Sequence, residues 1–577
     1  MSGFQRQAEV SLRLLEASPF WRQVVAAHGE LDSDTTRMVL ETAAGFAETE
    51  LEQLGAISDR LSCHLQDGRV ITPEAYKPAW KALRQGGWIG LDLPAHAGGQ
   101  GLPLALQTAS QMLLDRSCLA FGMLAGSTRS GAFVLDAFAP ENIREEWLPR
   151  LISGEWSTTI CISEPDAGSD VGRIRTRAQL NTDGRWLISG QKCWISYGDH
   201  DLTSRIGHLL LARTGAPELG TRGLSLFLVP DTVTDANGNA RRNGIVVERL
   251  EEKLGLHGSP TCVLSFNGAD ALLLGELDRG LPQLFVMIER MRLLTAGMGA
   301  GTAVAALDIA EHYAVERRQG GAPDKPAIPI VDHPDIQRQL GVLAARAWGV
   351  QAFVLELAAI MDCAENEEGD RKKDLQALSA WLLPIAKNFG AEAGFDCASA
   401  AIQVLGGAGY TMEWPAERLL RDARILSIFE GTTAMQAMDL LHRRLWKEHG
   451  RGLKVFAGLL RQEAADAPDR EAAALALKVL ERLEALAERF TAFQHDRAAA
   501  DFGADAFFRA AWAGVLAWIS LRLAHFAAAP RDDLDRYLGA VGLCGLHEAA
   551  AAMAAAEARV DCPSEAMGQI AALMKSR

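Results

Sequence analysis

The chain has 577 residues, 48% of them hydrophobic and 23% charged, with a formal net charge of −15. Such a length is too great for one ordinary domain and suffices for several buried cores. The acidic balance speaks against a nucleic acid or an anionic membrane surface as the main partner.

The opening, Met1-Ser2-Gly3-Phe4-Gln5-Arg6, has no apolar h-region, and no stretch approaches a full membrane-spanning run of uninterrupted apolar residues. Residues 1–36 read as an N-terminal helical extension and 37–156 as an α-helical domain. Val39, Ala43, Phe46, Ala47, Leu51 and Leu54 show the helical spacing. The glycine-rich segment from Pro94 to Pro103 is expected to be a loop between helices. The texture changes at residue 157. Thr158 to Ser163, Trp186 to Gly190, Leu224 to Pro230 and Thr261 to Phe266 are short β-rich runs. Turn chemistry at Thr182-Asp183-Gly184 and Asn237-Gly238-Asn239 falls between them, so 157–280 is predicted to be a β-domain. Helical periodicity returns for 281–445, with a proline-rich surface loop from Gly320 to Pro329 and a charged turn from Glu365 to Lys373. Residues 446–577 form an additional, alanine-rich helical region of balanced charge.

Nine cysteines (63, 118, 161, 193, 262, 363, 397, 544 and 562) are dispersed without CxxC spacing. They read as reduced thiols, with neither a disulfide framework nor a metal site. The expectation is a soluble, cytoplasmic, multidomain protein. The segregated α–β–α order differs from a doubly wound nucleotide fold, and no GxGxxG joins a strand to a helix.

Three blocks carry chemistry: Cys161-Ile162-Ser163-Glu164-Pro165-Asp166-Ala167-Gly168-Ser169-Asp170; Gly190-Gln191-Lys192-Cys193-Trp194-Ile195-Ser196; and Gln403-Val404-Leu405-Gly406-Gly407-Ala408-Gly409-Tyr410 through Arg421-Asp422-Ala423-Arg424 to Phe429-Glu430-Gly431-Thr432. Alone, the first is a plain turn, Trp194 a half-buried strand aromatic and Glu430 a solvated loop carboxylate. In this order and at these separations, over about residues 40–445, they resemble the acyl-CoA dehydrogenase family. The resemblance implies an N-terminal helical domain, a central β-barrel-like domain and a C-terminal four-helix bundle, with FAD as cofactor. The long N- and C-terminal additions are similar to those of the branch that includes 3-methylmercaptopropionyl-CoA dehydrogenase.

By that resemblance, Ile162, Ser163, Trp194 and Ser196 contact the flavin ring. Gln403 and Gly407 reach the adenine-side diphosphate of a neighbouring subunit's FAD, and Arg317 and Gln319 match a second segment that contacts that same cofactor, which implies a homodimer or homotetramer. Thr432 touches the cofactor. Ser169, Glu289, Arg292 and Gly431 meet the acyl-CoA. Two departures stand out: Arg173 occupies a place that is usually small, and Ser196 one that is usually threonine. Glu430 is the expected base. Its neighbours Ile428 and Phe429 favour desolvation, which raises a carboxylate's pKa. The family's alternative position for the base, one residue before the substrate arginine Arg292, is here Met291, which takes no proton. The implied reaction removes an α-proton and delivers a β-hydride to the flavin, with an electron-transfer flavoprotein as acceptor. A saturated short- to medium-chain acyl-CoA is the first expectation for the substrate and a methylthiopropionyl thioester the second. A flavin oxidase or monooxygenase on the same scaffold is a further alternative.

Overall fold

The computed structural model describes residues 2–29, 31–234, 238–561 and 564–575. Asn237 of the expected turn and Cys562 lie outside the described residues. The chain forms two compact units, one of residues 1–8 and 38–294, the other of 9–37 and 295–577.

The first unit joins helices to a closed sheet. Helices Leu104–Asp115 and Leu119–Phe138 are buried along nearly their whole length, polar residues such as Gln107, Gln111, Thr128 and Arg129 included. Seven strands make the main sheet, in the order Ile245–Leu250, Thr261–Leu274, Trp186–Ser196, Arg177–Leu180, Arg205–Arg213 and Trp156–Cys161. The seventh, Leu224–Pro230, pairs with both Thr261–Leu274 and Arg205–Arg213 and so closes five strands into a barrel. Its interior holds Ile188, Ile195, Leu210, Phe227, Val229, Leu264 and Phe266. Trp156–Cys161 runs parallel to Arg205–Arg213 at the edge. A small hairpin, His64–Gln66 with Arg69–Ile71, interrupts the helical start and adds Val70 to the barrel core.

The second unit is helical. Pro334–Asn366 and Gly369–Leu405 pack as a long pair, separated only by residues 367 and 368. The charged turn expected from Glu365 to Lys373 is therefore two residues, and Lys372 and Lys373 lie in the second helix. Helices Arg451–Asp466, Arg470–Ala492, Arg497–Ala524 and Asp533–Val560 follow. They are tied to the pair by Arg522, which meets Glu356 at 2.7 Å. The N-terminal residues assigned to this unit join it through Arg13, which pairs with Asp532 at 2.8 Å and Asp535 at 2.6 Å.

Gly280–Glu316, Pro334–Asn366, Arg497–Ala527 and Asp533–Val560 are each long and apolar enough to cross a membrane by length and composition. Within the protein, 89%, 94%, 72% and 44% of their most apolar windows are buried. Scattered polar residues keep any of them from being one uninterrupted apolar run. The eight described cysteines are all free.

Candidate active site

In the first unit, strand Trp156–Cys161 ends where the first block begins. Ile162 and Ser163 are half-buried at its exit. A buried ion pair fixes them. Lys192 Nζ donates to Ile162 O and to Glu164 Oε1, both at 2.8 Å, and Cys193 N donates to Ser163 O at 3.0 Å. Glu164 also accepts from Arg175 N at 2.7 Å and Thr176 N at 3.0 Å. Burial pushes the Glu164 carboxyl up, but the Lys192 ammonium and these backbone donors outweigh it and hold it below its ordinary value. The same burial lowers the Lys192 ammonium, partly offset by Glu164. Neither residue stood out as functional in the sequence. Their 28-residue separation leaves no local signal.

The second block lies on strand Trp186–Ser196, which is longer than its apolar start suggested. Against the partner strand, Ile195 faces Cys262 and Lys192 faces Leu264, so Cys193 and Trp194 together oppose the single residue Val263. This is a β-bulge. Trp194 takes a left-handed φ of 58° and is 58% exposed. A bulky residue there is a backbone outlier, and such strain collects at functional sites. The indole is thus presented outward while Cys193 and Ile195 point in. Ser196 is half-buried, and its carbonyl accepts from Thr159 Oγ1 at 2.6 Å. Buried Tyr197 bonds Ala120 O at 2.7 Å. Ser169 is exposed in the loop beyond. Arg173 turns to solvent, pairing with Asp170 at 2.7 Å. On helix Gly280–Glu316, Glu289 is exposed and Arg292 half-buried, three residues apart and on one face, while Met291 is buried.

The second unit holds the third block. Glu430 is half-buried in the turn before helix Thr433–Met438, with a left-handed φ of 55°, and Gly431 follows at 97°. Two fully buried side chains clamp this turn. Gln436 Nε2 donates to Glu430 O at 3.0 Å and to Gly431 O at 3.3 Å, and Lys387 Nζ donates to Gly431 O at 2.6 Å. Neither clamp was evident from sequence. Of the flanking side chains expected to desolvate Glu430, Phe429 is half-buried but Ile428 is 46% exposed. Thr432 is half-buried at the helix start.

Arg317 and Gln319 are exposed on a short ladder in which Ile330 N donates to Arg317 O and Gln319 N to Ile328 O, both at 2.8 Å. The expected proline-rich loop is the connection between those two rails. His333 Nε2 meets Gln319 O at 2.8 Å, tethering the ladder to the start of Pro334–Asn366. Farther along, Arg338, Gln339, Arg346 and Gln403 line a groove of about 410 Å³ between that helix and Gly369–Leu405. Gly406 ends the second helix at φ 62°, and a Cβ on Gly407 would meet nothing within 4 Å. Of the four residues expected at a neighbouring subunit's cofactor, Gln403 lines this groove.

These residues fit a dinucleotide flavin: arginine and glutamine donors with open glycine backbone suit a diphosphate, and an outward indole beside a serine suits a flat heteroaromatic ring. A helical domain, a closed antiparallel-rich barrel and a helical bundle bearing such groups define a flavoenzyme that does not use a doubly wound nucleotide fold. The chain belongs to the acyl-CoA dehydrogenase family. Residues 33–155, 159–269 and 278–445 match the acyl-CoA dehydrogenase N-terminal, middle and C-terminal domains. It is 36% identical to a 3-methylmercaptopropionyl-CoA dehydrogenase of Ruegeria pomeroyi, over 82% of this chain and 81% of that one. It is 33% identical to the broad-specificity linear acyl-CoA dehydrogenase FadE5 of Mycobacterium tuberculosis, over 75% and 74%. Among solved structures, Caenorhabditis elegans ACDH-11 in complex with C11-CoA aligns with a TM-score of 0.75 at 20% identity, over 93% of this chain and 89% of that one. The protein is an FAD-dependent oxidoreductase acting on acyl-CoA.

Proposed function

We propose that Glu430 is the general base of an acyl-CoA α,β-dehydrogenation that yields the trans-2-enoyl-CoA. The observation that carries this is the clamped turn. A left-handed glutamate held through its own carbonyl by Gln436, next to a glycine held by Lys387, projects its side chain from a main chain fixed in position at some conformational cost. The α-proton of a thioester is only weakly acidic, so a positioned base and donors aimed at the thioester oxygen are both required. Glu430 takes the proton, and its own backbone N–H is one of those donors. Bound FAD supplies the two-electron acceptor for the β-hydride. Ile162, Ser163, Trp194 and Ser196 hold the ring and Thr432 touches the cofactor, while Gln403 and Gly407 hold the diphosphate, and Arg317 and Gln319 another part, of a neighbouring subunit's cofactor in a homodimer or homotetramer. Ser169, Glu289, Arg292 and Gly431 contact the thioester substrate. Residues 1–36, 37–156, 157–280, 281–445 and 446–577 act as successive structural segments. The enzyme is soluble and cytoplasmic, and it passes electrons to an electron-transfer flavoprotein.

Its substrate is a saturated short- to medium-chain acyl-CoA. A second reading, a methylthiopropionyl thioester, is favoured by the 36% identity to the Ruegeria enzyme. The test is anaerobic titration with a panel of thioesters. Glu430→Gln is expected to keep its FAD and lose flavin bleaching by roughly 10³-fold, since removing a general base costs about 10²–10⁴. Bleaching at the wild-type rate in that variant would refute the assignment.

A further inference from the structure

The helix that carries Gln436 is too short to hold itself. Thr433–Met438 has six residues, and a helix of that length has no stability in water without packing. It packs against helix Arg497–Ala524, in the additional region beyond residue 445, where the match to the family's C-terminal domain ends. The chain then continues as π-helical turns, Asp439–Lys447, a rare geometry found mostly at functional sites. Side chains of these turns bond the additional region. His442 Nδ1 accepts from Arg497 Nη2 at 3.1 Å, so its Nε2 carries the proton given to Asp501 Oδ1 at 2.6 Å. Trp446 Nε1 donates to Phe490 O at 3.0 Å, and its indole stacks on the imidazole of His442.

The same helix grips the other side of the clamp. Pro384 lies inside Gly369–Leu405 and removes one of its hydrogen bonds three residues before Lys387. The turn that follows is held from outside. Arg509 gives Glu392 a two-pronged pair, Nη1 to Oε2 at 3.1 Å and Nη2 to Oε1 at 3.2 Å, and its Nε donates to Asp505 at 3.0 Å. Asn388 Nδ2 adds a donor to Glu392 Oε1 at 3.1 Å. Phe389 lies parallel to Trp512, with 5.1 Å between ring centroids. Arg497, Asp501, Asp505, Arg509 and Trp512 follow one another at three- and four-residue steps, so one face of Arg497–Ala524 meets both elements.

Lys387 and Gln436 come from these two elements, and both donate to the carbonyl of Gly431. Their separation, and with it the place of the turn between them, depends on the helix that both elements pack against. We infer that helix Arg497–Ala524 braces the turn bearing the base, with Arg509 and Asp501 as positioning residues for Glu430. Arg509 acts through Glu392 and the helix turn that delivers Lys387. Asp501 acts through His442 and the turns that continue the helix of Gln436. The additional region is thereby part of the framework of the reaction and more than a packing module. The inference rests on the reading of Glu430 as the base given above.

The experiment follows anaerobic flavin bleaching in the full-length holoenzyme, with whichever straight-chain acyl-CoA bleaches the wild type fastest, and records FAD content, KM and melting temperature. The variants are Arg509→Met, Arg509→Lys, Asp501→Ala and Arg482→Met. Arg482 pairs with Glu557 between two other helices of the same region and is the control for lost stability alone. Arg509→Met and Asp501→Ala are expected to slow bleaching at saturating substrate by roughly tenfold or more, because a base displaced by about 1 Å costs on the order of 10²-fold. KM should change by less than about twofold, as for an interaction that matters only in the transition state. Arg509→Lys keeps the charge without the fork and should recover part of the rate. Arg482→Met should bleach at the wild-type rate whatever its melting loss. Wild-type bleaching in both Arg509→Met and Asp501→Ala overturns the inference, as does equal slowing in Arg482→Met at a matched fall in melting temperature. If Arg509→Met does not fold, Asp501→Ala decides alone, since that side chain is 36% exposed. Glu430→Gln separates the two readings. Wild-type bleaching there refutes the base itself, whereas its loss there beside unslowed Arg509→Met and Asp501→Ala refutes only the brace.

Discussion

Replacing Lys192 by methionine tests whether the buried ion pair organises the first block. In the wild type the ammonium donates to Ile162 O and Glu164 Oε1 and is entirely buried. Lys192→Met fills the volume but leaves Glu164 ionised in the interior with only its two backbone donors. Breaking one side of a buried pair costs about 3–5 kcal/mol. For a cooperative unit of this size that is a fall in melting temperature on the order of 10 °C, at about 2–4 °C per kcal/mol. The sign with pH follows from the wild-type shift. Glu164 is held below its ordinary value, so its contribution is present above that value and is lost as pH falls through the folded one. In the variant the unpaired buried carboxyl moves the other way, so acid neutralises it and the deficit shrinks from about pH 8 toward about pH 5. Ile162 also loses its donor, so FAD retention should weaken. Glu164→Leu added to Lys192→Met should restore only part of the loss, because Arg175 N and Thr176 N then lack an acceptor. Melting and flavin release are measured at both pH values. A loss under about 1 kcal/mol, or a deficit that does not change with pH, would refute the reasoning.

Trp194→Gly should relieve a left-handed backbone by about 1–2 kcal/mol, while FAD binds more weakly. Apoprotein melting and flavin affinity read the two effects separately, and tight FAD binding in the variant would count against the indole's assigned role. Gly131→Ala should destabilise by about 1–3 kcal/mol, since its Cβ would sit 2.0 Å from Thr158 Oγ1 and push the helix off the strand; denaturant titration checks it. Asp535, whose pKa is lowered by Arg531, a backbone donor and Arg13 against the upward push of burial, contributes stability above the ordinary carboxylate range and loses it as pH falls below. Asp535→Asn should therefore lower stability at neutral pH yet flatten its decline in acid, which melting at about pH 3 and pH 7 will show.

The blocks were legible because each is contiguous: Ser163, Trp194 and Glu430 sit in short patterns whose order survives in one dimension. The groups that hold them were not. Lys192 meets Glu164, Lys387 meets Gly431 and Arg129 meets Asp92 across long stretches of chain, and each of those basic residues reads locally as solvated. The strand from Trp186 was seen only in its apolar start, because Gln191 and Lys192 break the alternation that marks a half-buried strand. The hairpin at His64–Ile71 has three-residue strands, too short for any period to emerge.

The bulge at Cys193 and Trp194 has one further consequence. Lys192 and Cys193 are consecutive and both point inward, so the strand is one amino acid longer than regular pairing with Leu264, Val263 and Cys262 requires. Excising Cys193 would bring Trp194 opposite Val263 and leave Lys192, Ile195 and Ser196 on the faces they already occupy. The sheet would become more regular, while Ser163 O would lose the N–H that anchors it. What distinguishes this strand from an ordinary one is therefore a count of residues more than their identity, and a deletion would uncouple the barrel's architecture from its chemistry where substitutions alter both.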